Sequence, residues 1–409
     1  MTNEREHDIL LWGATGFTGK LVAEYLAAAK SGLRVAIGGR NEKKLAEVRA
    51  DVAALVPSFA DTPIVLGDAS DAASLVKVCE STRVVLTTVG PYWEFGKELA
   101  RAAAKAGTDY CDLTGETTFW RWLLDEVEPI AKRSGARLVP SSGFDSIPSD
   151  LGVKMLADHA REHHQKKLSE TRFVVLKTKG GVSGGTLASA LGIADLAKKD
   201  PAVRKLLRDP YALSPDRAND LSNDGPDPMN VRHDADFDVW TAPFVMGAIN
   251  TRVVRRSNAL FGHAYGRHFS YGEWMSFGSG ARGFAMASAA NAAILAFLGA
   301  AVLPPTRLLL DRVLPGAGEG PSEEARKNGF FKIAIAARME GGGPLLVGRV
   351  DGKQDPGYGE TAKMISETAI SLANTKGDGG VLTTATAVGD DLLVRLRKAG
   401  MTFVIEERP

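Results

Sequence analysis

Three glycines at three-residue spacing, Gly13, Gly16 and Gly19, follow an apolar run at 9–12 and open an alanine-rich stretch. A strand that stops in a turn too tight for a Cβ, followed by a helix whose first N–H groups lack partners, is a place for a pyrophosphate. Gly13 serves the turn, Gly16 lets backbone approach the phosphates, and Gly19 lets the helix pack closely on the strand. Thr15, Phe17 and Thr18 complete the turn, and both threonines offer hydroxyls to phosphate. The spacing is G-x-x-G-x-x-G, common where the dinucleotide is NADP, rather than G-x-G-x-x-G.

The next apolar run, 34–39, ends at Arg40, with Lys43 and Lys44 close behind and Asn41 placed to cap a helix. An NAD site carries an acidic residue near this strand end, whereas a guanidinium there suits a ribose 2′-phosphate. A cation at a helix start opposes the macrodipole and wants a reason. The expected cofactor is therefore NADP(H). Asp68 closes the run 63–68, where its carboxylate bonds an adenine amino group or caps the following helix. The run 83–88 ends in Val89, Gly90 and Pro91, a rigid turn expected beside the nicotinamide ribose, with Tyr92 directed into the cleft.

The elements that must position these residues alternate strand and helix through the first third of the chain, as in a Rossmann-type doubly wound parallel sheet. Residues 108–116 and 136–140 read as two more strands, and 141–150 close the unit. The expected organisation is an α/β chain with a dinucleotide-binding domain at 1–150. A C-terminal α/β domain with a mixed sheet follows at 151–409, its last helices free to pack back on the first domain. In the second domain 172–179 reads as a strand running into a Gly-rich turn at 180–186, which has no P-loop lysine. Strands are expected at 332–339, 345–351 and 401–406, helices at 362–372 and before Gly400, and a long surface loop or lid within 198–240.

Composition narrows the function classes. With 409 residues, 44% hydrophobic and 24% charged, the chain reads as a soluble two-domain protein. A net charge of +1 gives no electrostatic case for nucleic acid. Two cysteines, Cys79 and Cys111, make no disulfide framework and fit a reducing cytoplasm. The polar N-terminus is not a signal peptide. One segment stands apart: no charged residue occurs between Arg282 and Arg307. Rich in Ala and Gly, residues 283–303 read first as a buried helix or hairpin, next as a hydrophobic lid or peripheral membrane contact, and last as a span.

Three further clusters carry two readings each. Ser183 and Thr186 sit in a turn that holds an oxyanion or is simply structural. Arg252, Arg255 and Arg256 form a docking patch for an acidic or phosphorylated partner, or a solvated or salt-bridged face. His159, His163 and His164 lack the H-E-x-x-H spacing of a zinc site and read as a solvated helix end, so no metal is expected.

The ordered motifs 13–19, 88–92, 105–110, 112–116, 143–150, 182–186, 250–258 and 355–358 together resemble the saccharopine dehydrogenase-like oxidoreductases. The resemblance is greatest to their mycobacterial-type trans-acting enoyl reductase branch, and it covers nearly the whole chain. It implies an NADP-binding Rossmann domain, a C-terminal α/β domain, and reduction of an α,β-unsaturated acyl or polyketide thioester, held on a carrier protein, in lipid biosynthesis. Such a reduction needs hydride at the β-carbon, a stabilised enolate oxygen and a proton for the α-carbon. On that chemistry Tyr92 is a candidate proton donor or an interdomain packing residue. Ser142 and Asp145, with Ser146, position substrate or carboxamide, and Asp145 reads equally as a helix cap. An amino-acid or imine oxidoreductase, and a non-catalytic NADP-binding protein at a lipid surface, remain open alternatives.

Overall fold

The computed structural model describes residues 5–180, 184–218, 220, 225–302 and 320–409. Six strands open the chain: β1 (His7–Trp12), β2 (Val35–Gly39), β3 (Ile64–Leu66), β4 (Thr82–Thr87), β5 (Asp109–Cys111) and β6 (Arg137–Val139). Then come β7 (Leu168–Lys179), β8 (Arg232–Asp234), β9 (Val239–Pro243), β10 (Ser270–Ser276), β11 (Phe330–Met339) and β12 (Leu345–Gly352), with β13 (Gly380–Val381) and β14 (Thr402–Arg408) at the end. The first sheet runs β13-β6-β5-β4-β1-β2-β3, all parallel, and the second runs β14-β12-β11-β7-β10-β9-β8. In the second sheet only the β7–β10 pair is parallel. This is the doubly wound parallel sheet plus mixed α/β sheet that the sequence pattern anticipates.

Parallel strands covered on both faces read as continuous apolar runs, and β1 is buried at all six positions. Its Ile9 and Leu11 point to one face and Leu10 and Trp12 to the other. The Ile9 face belongs to a core that also takes Ile333 and Ile335 of β11, Leu346 and Val350 of β12, and Ile365 and Ile370 of helix Thr361–Asn374. One core therefore spans both sheets. Helix Thr361–Asn374 is buried on every side as far as Ala373, and several of its polar residues are paired: Glu367 accepts from Tyr25 and Arg395, and Ser371 donates to Asp391. It leads to β13, which pairs with β6, so chain beyond residue 356 completes the first sheet.

The apolar stripe at 119–130 is a helix in pieces. Thr117–Trp122 passes through a wide turn at Leu123–Val127 into Glu128–Ser134, because Pro129 has no N–H for a continuous ladder. Within 198–240 the chain forms helix Pro201–Arg208, capped by Asp200, before β8 and β9.

The uncharged segment departs from the expected burial. Helix Gly280–Val302 is a single long helix, and Phe284, Met286, Leu295 and Leu298 are each about half exposed. Trp240 meets Phe284 edge-on at 4.8 Å, and Ala287 faces inward, so only one narrow stripe is covered. The end of the segment at 303 lies outside the described residues.

Candidate functional site

Six loops converge on the carboxyl edge of the first sheet, where ligands bind in open α/β folds. They follow β1 (13–16), β2 (40–41), β3 (67–71), β4 (88–91), β5 (112–116) and β6 (140–146). In the first, Gly13 has φ +92°, and a Cβ there would lie 2.5 Å from Val89 Cγ2. A Cβ on Gly19 would fall 2.1 Å from the carbonyl oxygen of Gly13, which is backbone and cannot swing away. Gly16 differs: its Cβ would meet only Gly13 oxygen at 3.5 Å, so glycine there keeps the solvent side clear rather than the packing.

Helix Phe17–Ala28 begins after Gly16 with no side-chain cap and no acidic residue in its first turn. Its leading N–H groups, with Thr15 exposed and Thr18 half-buried beside them, form a cradle for an anion. Phe17 is covered from the far end of the chain: Tyr358 packs edge-on at 4.9 Å, the Arg326 guanidinium lies 5.2 Å from the ring, and Gly320 abuts it.

At the end of β2, Arg40, Lys43 and Lys44 are exposed, and the Asn41 side chain caps helix Glu42–Leu55 by accepting from Lys44 N at 3.0 Å. Asp68 faces Arg40 across the mouth. Bonds from Ser70 N and Oγ, and then the Arg40 charge, hold its carboxyl below the ordinary value. The following helix is capped by Asp71, which accepts from Ala73 N.

After β4, Thr88 Oγ1 donates to Gly13 oxygen at 3.3 Å, Val89 rests on Gly13, and the exposed Gly90 joins Pro91 through a cis bond. Tyr92 is buried; its hydroxyl donates to Thr87 oxygen and accepts from Leu113 N, both at 3.2 Å, and burial pushes the phenol well above its ordinary value. Ser142 is also buried, with Oγ donating to Val139 oxygen at 2.8 Å. Beneath it, burial raises the Asp112 carboxyl to about 7 despite donors from Thr114 N, Tyr110 and Ser141 N.

Asp145 is different in kind. Half-buried after β6, its carboxyl takes no hydrogen bond among the described residues, and desolvation alone raises it to about 6. Its Oδ2 faces Gly115, beside Met246 Cε. An unpaired, partly accessible carboxyl poised near neutrality at a ligand edge is a candidate acid.

Several structuring residues were missed from sequence. Glu116 accepts from Tyr92 N, Trp93 N and Ser189 Oγ, each at 2.8 Å, joining the β4 turn to helix Gly184–Lys199. Buried Glu273, raised to about 7 by desolvation, accepts from Ser149, Tyr271 and Asn250, and Asn250 in turn accepts from Ser146. Asp150 accepts from Ser257, Thr384 and Ala385 N. The segment 143–150 thus anchors three distant elements. Only the Asp112-x-x-x-Glu116 pairing hinted at this in the sequence.

The arginine cluster is not a docking patch; it is salt-bridged, as its second reading allowed, but buried rather than solvated. Arg252, Arg255 and Arg256 are buried and bind carbonyls of Leu207, Pro210, Tyr271, Leu213 and Val381, with Asp227 and Glu128 as ion partners. Thr186 lies in the first turn of helix Gly184–Lys199, whereas Ser183 lies outside the described residues.

A Gly-cradled helix start, cations at the second strand end and a second α/β sheet closing the ligand edge define an NADP-dependent oxidoreductase of the saccharopine dehydrogenase-like class. The family model for the saccharopine dehydrogenase NADP binding domain matches residues 9–140. The yeast saccharopine dehydrogenase (L-Glu forming, Saccharomyces cerevisiae) shares the fold, with TM-score 0.55 at 13% identity over 98% of this chain and 100% of that one. A trans-acting enoyl reductase of Mycobacterium ulcerans is 38% identical over 97% of both chains. A Mycobacterium tuberculosis protein provisionally given the same name is 43% identical over 98% of this chain and 97% of its own. The chain belongs to the trans-acting enoyl reductase family.

Proposed function

We propose that the protein reduces the carbon–carbon double bond of an enoyl thioester with NADPH, and that Asp145 supplies the proton. The carrying observation is the unpartnered Asp145 carboxyl, raised to about 6, on the same sheet edge as the Gly13–Gly19 cradle. Gly13, Thr15, Gly16, Thr18 and Gly19 would hold the pyrophosphate, Arg40 and Lys43 the 2′-phosphate, and Val89, Gly90 and Pro91 the nicotinamide ribose. NADPH, when bound, supplies the hydride for the β-carbon. The electron pair of the double bond then moves toward the thioester oxygen, and Asp145 Oδ gives its proton to the α-carbon and is reprotonated from solvent. Tyr92 and Ser142 act as positioning residues, since their hydroxyl protons are held by backbone carbonyls.

The acyl chain is assigned to the second domain. A cavity of about 350 Å³, lined by Val175, Leu176, Met275 and Phe330 with Lys177, Thr178 and Ser276, opens where β7 and β10 end. Helix Gly280–Val302, uncharged from 283 onward, leaves from the same place and suits peripheral contact with a lipid surface by a cytoplasmic enzyme. A carrier protein would present the thioester.

The test is NADPH oxidation with 2-enoyl thioesters of coenzyme A and, in parallel, with cyclic imines and α-amino acids. Turnover of the enoyl thioesters, with the saturated thioester as product, is expected. Turnover only at a carbon–nitrogen bond overturns the reading, and so does tight NADPH binding with no oxidation in either screen.

A further inference from the structure

The last two turns of helix Ile147–His164 and the C-terminal edge strand meet at a cluster that the reaction does not use. His159 Nε2 lies 2.7 Å and His164 Nε2 2.9 Å from the same atom, Glu407 Oε1. The three ligand atoms fall within 4.8 Å of one another, and among the described residues this is the one such group of three. Glu407 stands on β14 opposite Leu346, some 240 residues from the histidines, which is why no sequence spacing shows it. His163 stacks on His159 with ring centroids 4.3 Å apart. Arg161 is turned to Asp158 and Glu162, so neither a cation nor a second carboxylate from that turn enters the cluster.

We propose that His159, His164 and Glu407 bind a divalent transition metal, zinc above all. Two imidazole nitrogens and one carboxylate oxygen form a borderline donor set; calcium and magnesium ask for oxygen alone. Seating the ion opens the two N···O separations to roughly 3.3 Å, the edge of a tetrahedron with bonds of about 2.0–2.1 Å. For these two edges that is about half an ångström of movement, and the N···N edge, now within 4.8 Å, comes to the same length. Both histidine side chains are about one-fifth exposed (22%) and that of Glu407 is 40% exposed, so the fourth position faces solvent and takes water. The bound ion ties the end of helix Ile147–His164 to β14, a strand paired on one side only, by β12. Its role is to hold the C-terminal edge strand, remote from the cofactor edge.

The experiment uses tag-free full-length protein stripped with a chelator. Cobalt(II) is titrated while the visible d–d absorption of a tetrahedral site is followed, and zinc binding is measured by calorimetry and thermal melting. One equivalent is expected to bind, with the tetrahedral band and a rise in Tm. In His159→Ala/His164→Ala binding is expected to weaken beyond the roughly 10- to 100-fold that loss of even an outer-shell partner costs. Unchanged NADPH affinity in that variant shows that it has folded. Absence of the cobalt band, or equal metal affinity in the folded double variant, overturns the site. Should the double variant fail to fold, Glu407→Gln is read by the same titration with the same two outcomes.

Discussion

Glu116 and Ser189 meet across the cleft: Ser189 Oγ of helix Gly184–Lys199 donates to Glu116 Oε1 at 2.8 Å, the oxygen that also accepts from Tyr92 N. The second carboxylate oxygen accepts from Trp93 N, so one buried side chain fixes the turn after β4 and latches it to helix Gly184–Lys199. Glu116→Ala leaves two buried N–H groups unpaired, at a cost of about 1–3 kcal/mol each. The expected result is a KM for NADPH raised about tenfold or more, with a smaller loss in kcat. Glu116→Gln, which keeps one acceptor, recovers part of the KM. Equal effects of the two variants on kcat alone would remove the latch.

Arg40 is expected to separate NADPH from NADH. It stands exposed at the end of β2, makes no ion pair among the described residues, and has Lys43 and Lys44 beside it. A charge-assisted bond to a 2′-phosphate contributes about 1.5–3 kcal/mol, so Arg40→Asp is expected to cost roughly 10- to 150-fold in NADPH affinity. Affinity for NADH should hold or improve, since an acidic residue there suits the ribose 2′-OH. Fluorescence titration of both nucleotides decides it; equal losses for both would place Arg40 outside the 2′ site.

Asp145 ties activity and stability to pH with the same sign, both falling as its carboxyl ionises. As a proton donor it works only while protonated, so kcat is expected to fall as pH rises through about 6. Asp145→Asn cannot donate and should lose the roughly 10²- to 10⁴-fold that a positioned acid supplies. For folding, the carboxyl moves from its ordinary 3.8 to about 6 because burial penalises the charge. The folded protein then binds this proton more tightly than the unfolded chain, and that contribution is full below the unfolded value and gone above about 6. Above neutrality the wild type therefore carries a desolvated carboxylate that the variant lacks. The variant should melt higher than wild type at alkaline pH, with the difference shrinking in acid. An Asp145→Asn protein that retains full activity, or melts lower at alkaline pH, would sink this role.

Fold and cofactor edge were legible because both rest on local chemistry. The run into Gly13, the Arg40 strand end and the turn at Val89 each declare themselves within a few residues, and period-2 and period-3.6 patterns place the strands and helices around them. What was not legible depends on where distant chain goes. Tyr92 looked like a free phenol until Leu113 and Thr87 took both sides of its hydroxyl, and Arg252, Arg255 and Arg256 looked like surface until the carbonyls of 207–213 closed over them. Helix Gly280–Val302 misled in the other direction: its composition suits a core, but among the described residues β9 and helix Gly184–Lys199 make most of the contact with it and cover one stripe.

The uncovered face of that helix makes a prediction about lipid. Phe284 and Met286 near one end and Leu295 and Leu298 near the other are each between 46% and 49% exposed, on a helix with no charge after Arg282. Apolar surface of this extent on a folded protein marks an interaction site. Helix Gly184–Lys199, which packs against it, ends in Lys198 and Lys199, and helix Pro201–Arg208 follows with Arg204, Lys205 and Arg208, a basic run suited to anionic headgroups. The purified protein is expected to cosediment with vesicles that contain phosphatidylglycerol and to release at high salt. Leu295→Glu/Leu298→Glu should stay in the supernatant while its melting temperature and its turnover of a short soluble thioester stay unchanged, because both side chains point outward. Cosedimentation that survives this substitution would move the lipid contact elsewhere. A wild-type protein that never pellets with vesicles would end the lipid reading and leave that face to the acyl chain alone.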